Sequence, residues 1–262
     1  MRVGMIGLGA IGAEVLAAAR AGRLGPGQEL VAVLVRRPRA EEPLATTDRD
    51  VFLARRPEVV LEVAGHGALR AHGVACLEAG ADLLLTSAGA LVDDPFRAGL
   101  EAAARRAGRR LVVLSAGIGA LDILGAAAVG GLEAVRVTVR KDPSAWYGTP
   151  GEGLVELARL RAPATLYAGP VREGARLYPQ NVNIAAAAAL AGAGLDATEL
   201  VIVADPGITE HLVEIAARGA FGSFAFREAI RPTEANPKTG VLVAMAVVAS
   251  LRRLAGPLVV GG

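Results

Sequence analysis

Cysteine is almost missing: Cys76 is the one thiol in 262 residues. That excludes an internal disulfide framework and any CxxC metal site. Its setting, HGVACLEAG, predicts a buried, small apolar residue on a helix. Three histidines without a thiolate cluster give no metal-ligand spacing, so no metal is expected. Aromatic residues make up only 3% of the chain, so Val, Leu, Ile and Ala must build the core. Net charge is +2 with no basic stripe, which excludes a nucleic-acid partner. Long uncharged runs are missing too. NIAAAAALAGAGL and VLVAMAVVASL are too short to span a bilayer, so no membrane partner is expected. The first apolar run, VGMIGLGAIGAEVLAAA, is studded with glycines and lacks a cleavage-site pattern, and a cytoplasmic protein is expected. Lysine is confined to Lys141 and Lys238, and asparagine to Asn181, Asn183 and Asn236. In a chain where arginine has replaced lysine elsewhere, these survivors are worth following.

What is present is a globular composition, 53% hydrophobic and 21% charged, on a chain long enough for two small domains. The first half alternates apolar strands (MRVGMIG, ELVAVLV, VVLEVAG, DLLLTSAGAL, RRLVVLSAG) with Ala/Leu/Arg-rich helices. This rhythm predicts a parallel sheet covered on both faces. Beyond residue 130 the period becomes two, in AVRVTVRKD, ATLYAGP, ELVIVADP, EHLVEIAARG and GSFAFREAI. One helix, from about Pro179 to Ala193, interrupts them. The fold class expected is α/β: a Rossmann domain over 1–120, and an α+β domain with an antiparallel sheet over 121–236. A last helix over 237–262, with Pro237 in its first turn, should return to the first domain.

Gly7, Gly9 and Gly12 form GLGAIG between the first strand and the first helix. The first glycine permits the tight turn, the second lets backbone approach a pyrophosphate, and the third allows close helix–strand packing. Ala10 and Ile11 begin that helix, where unpaired N–H groups face phosphate oxygens. The second strand ends near the adenosine ribose. There the chain carries Arg36 and Arg37 where NAD sites place an acid, so tolerance of NADP(H), and a preference for it over NAD(H), is expected; the alternative is two solvated arginines on a loop. Ala64, near the end of the stretch VVLEVAG, and His66, which follows it, lie at the edge where ligands collect and are candidates to border the nicotinamide. His72 is read as a solvated or capping residue.

In the second half, YPQNVN places Gln180, Asn181 and Asn183 in the first turn of a helix, as caps or ligand amides. Asp205 belongs to the turn ADPG. His211 heads an alternating strand. Lys238 and Thr239, at the start of the last helix, are candidates to clamp a carboxylate with help from the helix N-terminus. Arg140 and Lys141 are another candidate pair.

The order YPQN, ADP, GAFG-F-F and NPKT, together with SAGAL at 87–91 and SAGIGALD at 115–122, resembles the L-aspartate dehydrogenases over nearly the whole chain. The resemblance implies NAD(P)-dependent oxidative deamination of L-aspartate to iminoaspartate, or oxaloacetate plus ammonia, feeding NAD synthesis. It implies a homodimer joined through the second domains. The family's strand carries Asn, one residue, then the catalytic His. Here those positions hold His211 and Val213. Residues two apart on a strand share a face, about 6–7 Å apart at the backbone. His211 is therefore read as a displaced acid/base, as a substrate-positioning residue for a changed small acid, or as a plain strand residue of a non-catalytic dinucleotide-binding homologue.

Overall fold

The structure, a computed structural model, describes residues 1–179, 181–234, 236–258 and 260; of residue 237 only the backbone is described. The chain divides into two compact units, Met1–Leu114 with Ala244–Gly262, and Ser115–Val243.

The first unit runs β1 (Arg2–Ile6), α1 (Ala10–Arg20), β2 (Glu29–Leu34), β3 (Ala45–Thr46), α2 (Arg49–Ala54), β4 (Val59–Glu62), α3 (His66–Glu78), β5 (Asp82–Leu85), α4 (Asp94–Ala107) and β6 (Leu111–Val113). Its six strands are all parallel, in the order β3-β2-β1-β4-β5-β6. The chain order reverses between β1 and β4, the switch point where doubly wound sheets bind ligands. The central strands are apolar and buried almost throughout, as parallel strands with two covered faces must be. Local signals set the helix ends: Asp48 and Asp93 cap α2 and α4 through their carboxylates, and Gly108 ends α4 in the left-handed region at φ 61°. Two short elements, β3 and α2, have no counterpart in the sequence reading. A two-residue strand leaves no periodicity to detect.

The second unit contains α5 (Leu121–Gly130), β7 (Leu132–Lys141), β8 (Ala164–Pro170), α6 (Val171–Leu177), α7 (Asn183–Ala191), β9 (Thr198–Ala204), β10 (His211–Gly219), β11 (Gly222–Ile230), β12 (Pro232–Thr233) and β13 (Asn236–Gly240). The main sheet has the order β11-β10-β7-β9-β8. It is mixed rather than antiparallel, because β7 and β9 run parallel. Alternation in sequence reports which face is buried and is silent on strand direction, so this pair was not legible. Along β10, His211, Val213, Ile215 and Ala217 are buried, while Leu212, Glu214, Ala216 and Arg218 are not. A slip of one residue would exchange Ile215 for Glu214 in the core, so the register is firmly held. Helices α5 and α7 pack against β10 and β7. Ala185–Ala189 of α7 are all buried, and small side chains let the helix come close.

Two helix boundaries differ from expectation. The helix expected from Pro179 begins instead at Asn183, and an unexpected helix, α6, precedes it; Tyr178 ends α6 at φ −123°, ψ 55°. Proline disfavours helical geometry in the residue before it, which stops α6 there. The last helix begins at Leu242, not at Pro237 (α8, Leu242–Ala255). Residues 236–240 instead form β13, paired with β12. A side chain on Gly240 would meet Ile230 at 2.6 Å, so this turn depends on glycine. Val247 and Leu251 of α8 are fully buried in the first unit's core with Val3, Met5, Val33 and Leu61. Among the described residues no helix is long and apolar enough to cross a membrane.

Candidate functional site

The glycine loop of the first unit shows three different reasons for glycine. Gly7 has φ +104° and donates its N–H to Leu34 O at 2.9 Å; a Cβ there would lie 2.7 Å from that of Ala64. Gly12 sits so close to the strand that a Cβ would lie 2.3 Å from Gly7 O. Gly9 is exposed, and a Cβ there would meet nothing within 4 Å. The loop is therefore closed underneath and open above. The first intrahelical bond of α1 runs from Ala13 N–H to Gly9 O at 2.9 Å. The N–H groups of Ala10, Ile11 and Gly12 precede it and have no carbonyl within the helix to bond. They offer positive potential to a pyrophosphate on the open side. Arg36 and Arg37 follow β2, both exposed and both without an ion pair to any described residue. These residues fit a dinucleotide.

A residue absent from the sequence reading holds the neighbouring loops. Glu62, at the end of β4, is 0% exposed. Its carboxylate accepts N–H bonds from Ala64 at 2.8 Å, Gly65 at 2.7 Å and Ser87 at 3.3 Å. One buried charge thus ties the loop after β4, which carries Ala64 and His66, to the loop after β5. Burial of a carboxylate is tolerable only with such donors. The signal was available: a charged residue closing the otherwise apolar run VVLE. Gly65 caps α3 at φ +118°, leaving Ala64 exposed and His66 half-buried in the first helical position. His72 is not solvated, as expected from sequence, but half-buried, with Nδ1 enclosed and unpartnered among the described residues. Burial first, and then the Arg49 charge, hold its imidazole below the usual range. Cys76 is fully buried, and burial pushes its thiol up to about 12. It is a packing residue.

In the second unit the scarce residues converge. Lys141 is 4% exposed, donates from Nζ to Lys238 O at 3.0 Å and lies 5.9 Å from the centroid of the Trp146 ring. Lys238 donates from Nζ to Tyr147 O at 3.1 Å. Asn236 accepts from Lys238 N–H at 3.0 Å and donates to Thr239 Oγ1 at 3.0 Å. Asn181 donates from Nδ2 to Ala145 O at 2.9 Å. The two lysines thus tie residues 141–147 to β13, Asn236 shapes β13 itself, and Asn181 ties Ala145 to the turn before α7. Burial first, then the nearby Lys238 charge, push the Lys141 ammonium down to about 8.

The site residues read from sequence fare differently here. Lys238 and Thr239 are on β13, ahead of α8, which begins only at Leu242, rather than in the first turn of a helix. Gln180 lies outside the described residues. Asn183 opens α7, as expected, whereas Asn181 lies in the turn before it. Asp205 belongs to its turn: it accepts Gly207 N–H at 2.8 Å and pairs with Arg140 at 2.8 Å. The Arg140 bond is the main reason its carboxyl lies below the ordinary range.

His211 is 6% exposed and heads β10 on the covered face of the sheet. Val213, also buried, is next on that face; it pairs with Val139 of β7 on one side and Glu228 of β11 on the other. By strand alternation Lys141, His211 and Glu228 share this face at one end of the sheet. The loop 115–120 covers the same face: a Cβ on Gly119 would lie 3.2 Å from the Phe226 ring, and one on Gly117 would lie 3.2 Å from Ile184, the neighbour of Asn183. Ala116 in this loop holds φ 47°, unusual for a residue with a side chain. The register thus puts an amine, an imidazole and a carboxyl on one face at one end of this sheet. Among the described residues no group of three His, Cys, Asp or Glu is placed to hold a metal ion.

Comparison with known proteins adds the following. Residues 122–254 match the family described as aspartate dehydrogenase, C-terminal, and residues 7–114 match the NAD-binding domain of homoserine dehydrogenase. The chain is 43% identical to the L-aspartate dehydrogenase of Ruegeria pomeroyi, over 97% of this chain and 92% of that one. It is 42% identical to the L-aspartate dehydrogenase of Pseudomonas aeruginosa, over 96% of each. The crystal structure of aspartate dehydrogenase from Thermotoga maritima superposes with a TM-score of 0.77 at 21% identity, covering 100% of this chain and 99% of that one.

Proposed function

The chain belongs to the L-aspartate dehydrogenase family, and from that premise we propose that it oxidises L-aspartate at the α-carbon with NAD(P), releasing ammonia. The observation that carries this reading is the cradle at Gly7, Gly9 and Gly12, closed below and open above Gly9. Gly7, Gly9, Ala10, Ile11 and Gly12 would hold the pyrophosphate, with Ala64 and His66 beside the nicotinamide. Bound there, the oxidised nicotinamide supplies a hydride acceptor. The rest falls to the protein's own groups. His211 exchanges a proton with the substrate, and Asn183 offers it an amide. Lys238 and Thr239 stay candidates for a carboxylate, through β13 rather than through a helix terminus. The product, iminoaspartate or its hydrolysis product oxaloacetate, suits a role in NAD synthesis. The less covered face of the second sheet, with Leu212 and Ala216 on β10, is the surface for a homodimer.

The test is product stoichiometry. L-aspartate with oxidised cofactor should yield reduced nicotinamide and ammonia in equal amounts, while L-alanine, lacking the second carboxylate, should yield neither. Turnover of another small acid with none of L-aspartate would favour the reading in which Val213 marks a changed substrate.

Arg36→Asp addresses cofactor choice. An arginine–phosphate bond contributes about 1.5–3 kcal/mol, so its loss should raise the NADP KM roughly tenfold or more. The NAD KM should stay level or fall, since an acid suits the ribose hydroxyls. An unchanged ratio of the two would remove Arg36 from the site.

A further inference from the structure

Oxidative deamination needs two protons moved at different atoms. One leaves the substrate ammonium before the α-hydrogen can depart as hydride, and one leaves water as it adds to the imine carbon. His211 accounts for one. We propose that Glu228 is a second proton-transfer group of the same site, taking the proton from the substrate ammonium. This rests on the L-aspartate reading above.

The geometry that points to Glu228 is specific. It lies directly across from Val213, so their Cβ atoms are about 4.5–5.5 Å apart, and it is diagonal to His211 at about 7–8 Å, within reach of long side chains. It shares the covered face with Phe226 and Ile230, whereas Arg227 and Ala229 on either side of it are exposed. Its Oε1 is enclosed and has no hydrogen-bond partner among the described residues. Val213 cannot supply one. No arginine or lysine of the described chain forms an ion pair with it, unlike Asp205 with Arg140 or Asp82 with Arg110. A buried carboxyl oxygen without a donor is costly, and a group of that kind calls for an explanation. The charged residues near Glu228 on this face are His211 on β10 and Lys141 on β7, with Asp122 on α5, which packs against β10; Arg172, Glu173 and Arg176 of α6 lie over β8 and β9, at the opposite edge of the sheet. Burial pushes the Glu228 carboxyl up to about 7, the range in which a base works best near neutral pH.

In the proposed step an N–H bond of the ammonium breaks and an O–H bond forms at Glu228. The freed nitrogen lone pair becomes the C=N bond as the α-C–H electron pair leaves as hydride for the oxidised dinucleotide. Glu228 then returns its proton to solvent. The ammonium is also the one cationic group of the substrate, so a carboxylate at this point attracts it.

Glu228→Gln keeps the shape and removes the proton acceptor. In the full-length protein with cofactor and L-aspartate, kcat should fall about 100-fold or more while the L-aspartate KM changes little. The limb of the kcat–pH profile near 7 should disappear. A readout independent of turnover is the carboxyl carbon signal of 13C-labelled glutamate: one resonance titrating near pH 7 in the wild type should be missing from the variant. Stability gives the same sign. The raised group binds its proton more tightly in the folded state, so wild-type stability falls as pH rises from about 4.3 towards 7. The variant should therefore match the wild type below that window and exceed it above. Unaltered kcat, or a reduced kcat that keeps the limb near 7, would overturn the proposal while leaving an active wild type. A wild type inactive on L-aspartate would overturn the functional reading itself.

Discussion

Gly9→Val should fold like the wild type and lose dinucleotide binding by about 100-fold or more, a change of roughly 3 kcal/mol. The expectation comes from the space around that one atom. A Cβ at Gly9 meets nothing within 4 Å, and the backbone there, at φ −87°, suits a β-branched residue. Nothing in the protein resists the substitution except the small preference for glycine over valine at a helix cap, about 1 kcal/mol. A branched side chain nonetheless fills the open side, where the pyrophosphate must approach the backbone. Gly12→Ala, a smaller change, should do the opposite damage. Its methyl would lie 2.3 Å from Gly7 O, so helix and loop must part, at a cost of about 1–3 kcal/mol before any ligand is considered. Thermal melts and cofactor titrations separate the two. If Gly9→Val binds the dinucleotide normally, the cradle is only a turn.

His211→Ala should lower kcat with L-aspartate by about 10²–10⁴-fold, the usual contribution of a positioned acid/base. Cofactor affinity should not change, because the cradle is built from the first unit alone. The imidazole is 6% exposed, at the head of β10, on the face that carries Lys141 and Glu228. If it exchanges the substrate's proton, KM should move less than kcat; if it only positions substrate, KM should carry most of the loss. Wild-type turnover in the variant would make it a plain strand residue.

Much of this was legible in the sequence because it is local. GLGAIG between a strand and a helix specifies its own geometry. The strands of both main sheets announce themselves by buried runs or by alternation. What stayed hidden depends on residues far apart in the chain. Glu62 and Ser87 meet because β4 and β5 are neighbours, and the approach of Lys141 to Lys238 requires the last residue of β7 to reach β13. Composition had marked both lysines without saying what they hold. Pro237 misled because the same Asn-Pro that opens many helices here sits on a two-stranded turn, and the interaction that decides is Gly240 against Ile230. Glu228 carries no signal in the sequence beyond its place on an alternating strand, and only the register sets it opposite Val213.

The most direct measurement is isotopic. The protein is supplied with L-aspartate deuterated at the α-carbon and with oxidised cofactor, and the reduced nicotinamide is examined by mass spectrometry. The expected result is one deuterium on the nicotinamide ring for each ammonia released, with a slower rate than for unlabelled substrate. Reduced cofactor without the label, or no reduction while the dinucleotide is demonstrably bound, would contradict the account.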